Sequence, residues 1–125
     1  MMSEGCSLRE FDGGKGGRRT CVLIHREEGK AVGYVMFSHT PDSPSVHVGW
    51  IAVEAEHRRR GIGSRLLQQV VDAASEQGAK EITLHVRVSN AGAMKFYRTL
   101  GFEVVGRMKD HYGDEDAWRM QLEVT

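Results

Sequence analysis

The sequence predicts a single α+β domain in which two helices pack on a mixed β-sheet. The chain has 125 residues, enough for one substantial hydrophobic core. Six short runs are apolar, β-branched or aromatic, as strands are, whereas two longer segments carry apolar residues at helical spacing. Their order along the chain is β-β-β-α-β-α-β-β, which is typical of a sheet covered by helices.

The first half of the chain contains three predicted strands and one predicted helix. Residues 20–26 and 31–39 flank a polar turn and predict a hairpin. A loop with both prolines follows, and residues 46–53 form the third strand. The helix covers 62–77 and stops at Gly78, a common helix terminator. Its apolar stripe consists of Ile62, Leu66, Leu67, Val70, Val71 and Ala74.

The second half alternates in the same way. Residues 81–88 form a predicted strand, and a second helix begins at or just before Asn90, a residue suited to capping. Gly101 ends that helix, and residues 102–106 form a short strand. After a polar loop, the alternating pattern of residues 117–124 predicts the last strand.

The first nineteen residues are polar and rich in glycine, so we expect a mobile loop or a weak edge there, and a folded domain over 20–125. The charge is balanced, with 17 Lys and Arg against 17 Asp and Glu. This balance argues against a general nucleic-acid binder. No apolar run has membrane-spanning length and no signal peptide opens the chain, so we expect a cytoplasmic protein without a membrane partner. Cys6 and Cys21 are too few for a disulfide framework or a zinc site, and no metal is expected.

An arginine–glycine turn lies between the third strand and the first helix and predicts an anion site. The backbone N–H groups of a first helical turn lack partners and point one way, and the helix dipole adds positive charge there. Glycines without Cβ atoms let an anion approach the backbone closely. On the residues alone, a solvated turn is about as probable. The residues concerned are Arg58, Arg59, Arg60, Gly61, Ile62, Gly63 and Ser64.

Two common phosphate motifs do not fit this turn. It lacks the Gly-x-x-x-x-Gly-Lys-Ser/Thr pattern of nucleoside triphosphatases. It also lacks Gly-x-Gly-x-x-Gly, since position 66 is Leu, so a dinucleotide fold is disfavoured. In the second helix, Tyr97 read alone is a core aromatic and Asn90 a plain cap.

Taken together, the two segments resemble the Gcn5-related N-acetyltransferase superfamily. Its first signature, Gln/Arg-x-x-Gly-x-Gly/Ala, is matched by Arg58, Gly61 and Gly63. Its second, Asn-x-x-Ala-x-x-x-Tyr-x-x-x-Gly-Phe, is matched at Asn90, Ala93, Tyr97, Gly101 and Phe102. The resemblance covers about residues 20–124. It implies a mostly antiparallel sheet with splayed parallel strands and packed helices, here lacking the usual first strand and two helices.

The resemblance also implies acetyl-CoA as donor. Residues 58–64 would then hold its pyrophosphate, while Asn90 would orient the pantetheine arm and Tyr97 would protonate the departing thiolate. The arm would pair with the strand residues Ile51, Ala52 and Val53.

A finer resemblance is to protein N-terminal acetyltransferases, both the NatE catalytic subunit and the ribosomal-protein alanine enzymes. It implies His85 as general base and places His47 where NatE has a catalytic tyrosine. The segment from His111 and Tyr112 to Ala117 is similar to the stretch that holds the substrate peptide, although His111 replaces its first tyrosine. From the residues alone, an ordinary surface histidine on the less apolar face of its strand is the better explanation of His85.

We therefore expect an acetyl-CoA-dependent N-acetyltransferase that acts on protein or peptide N-termini by direct attack in a ternary complex. A histidine near pKa 6.5 suits an α-amine near 8 better than a lysine near 10.4. The alternatives are a small-amine acetyltransferase, for polyamines or aminoglycosides, and a non-catalytic CoA-binding regulatory module. The missing front segment predicts a homodimer or an auxiliary subunit that completes the acceptor pocket.

Overall fold

The computed structural model describes residues 6–12, 17–58 and 61–124. Within these ranges the strands form a seven-stranded sheet in the order β1-β2-β3-β4-β5-β7-β6. Only β4 and β5 pair in parallel; the other neighbours are antiparallel. The elements are β1 (Cys6–Asp12), β2 (Arg19–Glu27), β3 (Lys30–His39), β4 (Ser45–Val53), α1 (Ile62–Glu76), β5 (Glu81–Arg87), α2 (Ala91–Thr99), β6 (Glu103–Met108) and β7 (Ala117–Glu123).

Strand β1 corrects the expectation that the first strand is missing. It pairs antiparallel with β2 from Cys6↔His25 to Asp12↔Arg19, so the sheet begins at Cys6 and not near residue 20. The polar, glycine-rich composition of residues 1–19 concealed it because the segment shows no sustained apolar alternation. Only residues 13–18 join β1 to β2, too few for the two helices that the family usually has there.

The hydrophobic core lies between the sheet and both helices. Leu66 and Val70 of α1, Tyr97 of α2, and Ile82 and Leu84 of the sheet belong to one buried cluster. Because side chains alternate along a strand, His47 and His85, which alternate with buried residues, face away from this core. In the described part of the chain, no helix is long and apolar enough to cross a membrane.

A divergence of β4 and β5 opens the sheet at its centre. Their parallel pairing consists of Ser45↔Glu81, Val46↔Ile82 and His47↔Thr83. Immediately afterwards a β-bulge leaves Gly49 of β4 without a partner on β3, and such bulges bend the strand that carries them. The splayed pair of parallel strands is thus confirmed, and it leaves a cleft between β4 and β5.

Candidate active site

The cleft between the splayed strands has a volume of about 270 Å³. One wall is β4 beyond the bulge and the other is β5, with α2 and the β6–β7 loop closing its ends. Ile51 is paired with Val35 of β3, whereas β5 pairs with β4 no further than His47 among the described residues. The side of β4 that faces the cleft is therefore open to a ligand. The lining includes Trp50, Ile51, His85, Asn90, Tyr97 and Tyr112.

The start of α1, which follows β4, presents backbone N–H groups that have no acceptor in the part of the chain that the structure describes. Gly61 is the N-cap residue, and no side chain caps the helix. The first hydrogen bond of the helix runs from the N–H of Arg65 to the Gly61 carbonyl, 3.0 Å away. The N–H groups of residues 62–64 therefore lie before the first hydrogen-bonded turn. The Nε of Arg58 donates to the Val53 carbonyl at 3.0 Å, which fixes this arginine at the end of β4. Arg59 and Arg60 lie outside the described residues.

The two glycines of the turn have different structural reasons. Gly61 has φ of +79°, a left-handed conformation, and a Cβ there would meet only open space. A Cβ on Gly63 would instead lie 3.1 Å from Cζ of Phe96, so its absence lets α1 pack against α2. The expected reason, close approach of an anion, therefore fits the space at Gly61, whereas Gly63 is required by packing.

Helix α2 positions Asn90 and Tyr97 on the cleft. The Oδ1 of Asn90 accepts from the Ala93 N–H at 3.1 Å, so Asn90 is the helix cap. The Tyr97 ring is buried and contacts Phe96 and Phe102, with centroid separations of 5.3 and 5.7 Å. Burial raises the pKa of Tyr97 to about 12, and the nearby Tyr112 adds to the shift. Its hydroxyl therefore stays protonated at neutral pH.

Three histidines lie in a row on the open face of the sheet. The His85 ring lies between His47, at a centroid separation of 5.1 Å, and His111, at 4.3 Å. The Nδ1 of His47 hydrogen-bonds Thr83 Oγ1 at 2.9 Å. The Nε2 of His85 is buried and has no hydrogen-bond partner among the residues that the structure describes. Burial, together with His111, His47 and Arg119, lowers the pKa of His85 to about 4. Burial, with the same arginine contributing, also lowers the pKa of His47.

The β6–β7 loop brings His111 and Tyr112 over β5. The Tyr112 hydroxyl donates to the His85 carbonyl at 3.4 Å, and the Arg87 guanidinium lies 4.2 Å from the centre of its ring. The His111 ring meets that of Tyr112 edge-on at 4.8 Å. These contacts place both predicted substrate residues beside His85.

The loop itself is anchored at Asp116. Its Oδ2 accepts from Arg107 Nε at 2.7 Å, and its Oδ1 accepts from the Asp110 N–H at 2.8 Å. These hydrogen bonds hold the pKa of Asp116 below its usual range. A second tie joins Ser89 Oγ to Glu115 Oε1 at 2.8 Å.

The structure thus brings together most of the predicted site residues, although not equally. Tyr97, Asn90, His85 and Tyr112 line the cleft with Ile51, whereas His47 lies behind His85 and touches Thr83. The helix start at residues 61–64 adjoins the far end of the same strand.

Sequence reasoning missed three side chains of the site. Arg119 stands directly across from His85 on β7, Arg87 stacks on Tyr112, and Trp50 is 57% exposed beside the bulge. Only Trp50 had a usable signal in the sequence, because it directly follows Gly49 in the third predicted strand. The two arginines depend on strand register, which the sequence does not reveal.

A strand that bulges, parts from its parallel neighbour and leads to an uncapped helix start is the architecture of the acetyltransferase (GNAT) family. The chain belongs to this family: the family model matches residues 4–102, a span that includes β1.

Its relatives include N-terminal acetyltransferases. An N-alpha-acetyltransferase of Sulfurisphaera tokodaii is 41% identical over 110 residues, which cover 78% of this chain and 66% of the relative. The N-alpha-acetyltransferase daf-31 of Caenorhabditis elegans is 37% identical over 109 residues, 82% of this chain and 60% of the relative. Among solved structures, Chaetomium thermophilum Naa20 in complex with a bisubstrate analogue has a TM-score of 0.75 and 31% identity, over 82% of this chain and 65% of that one. The chain thus spans slightly under two thirds of the length of these relatives.

Proposed function

We propose that this protein is an acetyl-CoA-dependent N-acetyltransferase whose acceptor is the α-amine of a protein or peptide N-terminus. The observation that carries the proposal is the central cleft, which is lined by a buried tyrosine, Tyr97, and by one imidazole, His85, whose ring contacts those of His47 and His111. A phenol and an imidazole on a shared cleft can handle the two protons that amide formation moves. The relatives named N-alpha-acetyltransferase support the choice of acceptor.

The donor would bind from the helix start along β4. The free N–H groups of residues 62–64 and the Arg58 guanidinium supply the positive charge that a pyrophosphate needs. From there the pantetheine arm would run along Ile51, Ala52 and Val53, whose cleft-facing edge has no β5 partner among the described residues. The Oδ1 of Asn90 caps α2, which leaves its amide nitrogen without a role in the cap. That nitrogen would face the pantetheine arm.

The reaction is a direct attack of the amine nitrogen on the thioester carbonyl carbon. A backbone N–H of β4 just beyond the bulge would donate to the carbonyl oxygen as it becomes an oxyanion. Tyr97 would donate its hydroxyl proton toward the sulfur as the C–S bond breaks. These roles require the acyl group to sit between β4 and α2, where the cleft is lined by Ile51 and Tyr97.

The acceptor would enter from the open face of the sheet. Tyr112 and His111 lie at that entrance, with His85 below them and His47 deeper still. An α-amine, with a pKa near 8, gives up its proton about 2.4 pKa units more easily than a lysine amine near 10.4, a difference of about 3.3 kcal/mol. An imidazole base near the acceptor therefore favours the α-amine.

We also propose that a second copy or an auxiliary subunit covers part of the open face. Trp50 is 57% exposed and Tyr34 40% exposed on this face, and exposed large apolar side chains mark interaction sites. Light scattering over a dilution series, with and without acetyl-CoA, tests this; a monomer with full peptide activity contradicts it.

We propose a cytoplasmic location, where the donor and new protein N-termini meet.

The test of function is CoA thiol release from acetyl-CoA with a panel of peptides that differ at their first two residues, beside polyamines and aminoglycosides. We expect turnover with free-amine peptides and none with the same peptides pre-acetylated at the N-terminus. Preference for polyamines or aminoglycosides would replace the proposed acceptor. Acetyl-CoA binding by calorimetry without turnover of any amine would instead indicate a regulatory CoA-binding module.

A further inference from the structure

His111 differs from the other two histidines of the row in its access to an incoming amine. It is exposed, whereas His85 is partly buried beneath it and His47 lies on the far side of His85. The Nε2 of His85 has almost no solvent-accessible surface, so an acceptor at the cleft mouth cannot reach it without displacing a neighbouring side chain. His111 does not line the cleft but lies at its edge, in contact with the lining residues His85 and Tyr112. Its exposed ring is therefore the first imidazole that an ammonium group meets when it enters from the open face.

We propose that His111 is the general base of the reaction and that His85 is the ring against which it stacks. This inference rests on the proposed function and assigns the proton-accepting residue within it. His111 is held by rings on two sides, with His85 at 4.3 Å and Tyr112 edge-on at 4.8 Å. A base must be within hydrogen-bond reach of the proton it removes, and its orientation must be fixed.

The electrostatics of the row support this division of roles. Burial and the neighbouring His111, His47 and Arg119 lower the pKa of His85 to about 4. Proton transfer from an α-ammonium group, with a pKa near 8, to such an imidazole is unfavourable by about 10⁴-fold. His85 therefore remains a neutral ring through the neutral range. The groups around His111 are His85 on β5, Tyr112 in its own loop, and the further charged or titratable members of the cluster, Arg119 on β7 and His47 on β4.

The protons and bonds of this reaction balance as follows. His111 takes one proton from the ammonium group, and the neutral nitrogen forms its bond to the thioester carbonyl carbon. The C–S bond breaks, and the sulfur leaves with the electron pair as a thiolate that accepts a hydrogen bond from Tyr97. The nitrogen then loses a second proton, which passes through solvent to the thiolate, and His111 releases its proton to solvent. One ammonium ion and one thioester give one amide, one thiol and one free proton.

The decisive variant is His111→Tyr, because a tyrosine can still stack on His85 but does not accept a proton from an ammonium group at neutral pH. The probe is the best peptide of the acceptor panel, used at saturating concentration from pH 5.5 to 9.5. We expect kcat at pH 7 to fall about 100-fold, the lower end of what a general base contributes. We expect the rate to recover as the pH rises past about 8, where the amine loses its proton unaided. Affinity for acetyl-CoA, measured by calorimetry, should not change.

Three further variants separate a base from a packing residue. His111→Ala should lose the same activity and regain part of it when imidazole is added. His85→Asn should bind peptide less well but keep the acidic limb of the wild-type kcat profile. His39→Gln is the matched histidine control, since that ring bonds the Ser43 carbonyl at 3.1 Å and does not line the cleft, and its profile should equal the wild type.

The opposite pattern overturns the assignment. If His111→Tyr keeps the acidic limb and its rate while His85→Asn loses both, then His85 is the base. If wild-type protein binds acetyl-CoA but turns over no peptide of the panel, the proposed function fails and this inference fails with it. Failure of the proposed function is distinguishable from failure of the assignment, because it is seen with the wild-type protein before any variant is made.

Discussion

Tyr97 is both a buried residue of the core and a proposed catalytic residue. Its ring packs on Phe96 and Phe102, and its pKa is raised to about 12. Complete transfer of its proton to a thiolate, with a thiol pKa near 8.5, would cost about 5 kcal/mol. A charge-assisted hydrogen bond to the departing sulfur is therefore the contribution expected of it, about 1.5–3 kcal/mol.

Replacing Tyr97 with Phe tests this. The ring still packs, so the melting temperature should stay near that of wild type, whereas kcat should fall tenfold or more because the sulfur loses its donor. Single-turnover kinetics with the best peptide measure the chemical step. An unchanged chemical rate would remove Tyr97 from the mechanism.

Gly61 and Gly63 give opposite predictions although they are two positions apart. Gly61→Val should abolish measurable acetyl-CoA binding by calorimetry, because its side chain enters the open space above the helix start. Gly63→Ala should mainly lower the melting temperature, since its Cβ would press on Phe96 at 3.1 Å. Normal acetyl-CoA affinity in a folded Gly61→Val protein would contradict the phosphate site.

The identity of most candidate residues could be predicted from sequence, but their contacts could not. Tyr97, Asn90 and His85 follow from motif spacing and resemblance. The stacking of His111 on His85 requires both the β5–β7 register and the course of the β6–β7 loop. Neither is encoded in a local pattern, so the row of histidines and its partner Arg119 became visible only in three dimensions.

At the scale of elements, the β6–β7 loop depends on one carboxylate. Asp116 accepts from the Arg107 side chain and from the Asp110 backbone, and so fixes both ends of the segment that carries His111 and Tyr112. Because its pKa lies below the usual range, the ion pair with Arg107 should persist into mildly acidic solution. The loop is thus held in place by hydrogen bonds at its own two ends and not by the substrate.

Asp116→Asn should therefore raise the peptide KM severalfold while acetyl-CoA affinity stays constant, because only the acceptor side is loosened. Asp114→Asn is the matched control, since that carboxylate is 90% exposed and lies 3.9 Å from Arg87, a pair of little energetic weight. Equal effects of the two substitutions on peptide KM would show that charge near the cleft, and not loop anchoring, is responsible.

Helices and strands with a regular apolar pattern in the sequence could be predicted well, and the strand without one could not. The predicted helix 62–77 and strand 81–88 match α1 and β5 to within one residue at each end, because α1 and β5 both contribute to the core. Strand β1 was missed because an edge strand in a glycine-rich segment shows no clear alternation. The splay of β4 from β5 came from the resemblance, since a bulge at one glycine leaves no trace in hydrophobic periodicity.

At the scale of the whole molecule, one face of the sheet packs against the hydrophobic core, and the other face carries the three histidines. The lowered pKa values of His85 and His47 have a consequence for stability. The unfolded chain binds protons at its histidines near pH 6.5, whereas the folded protein binds none at His85 until about pH 4. Between these values the unfolded state holds more protons, so the stability of the fold decreases as the pH falls.

We therefore expect the melting temperature to fall steadily from pH 6.5 to pH 4, with His47 adding to the effect because its pKa is also lowered. The double variant His47→Asn with His85→Asn lacks both groups and should show a flatter curve over the same interval, whatever its stability at pH 7. Differential scanning calorimetry at low protein concentration measures both curves. Parallel curves would mean that other groups, such as the carboxylates, govern acid unfolding, and that the imidazoles titrate alike in the folded and unfolded chains.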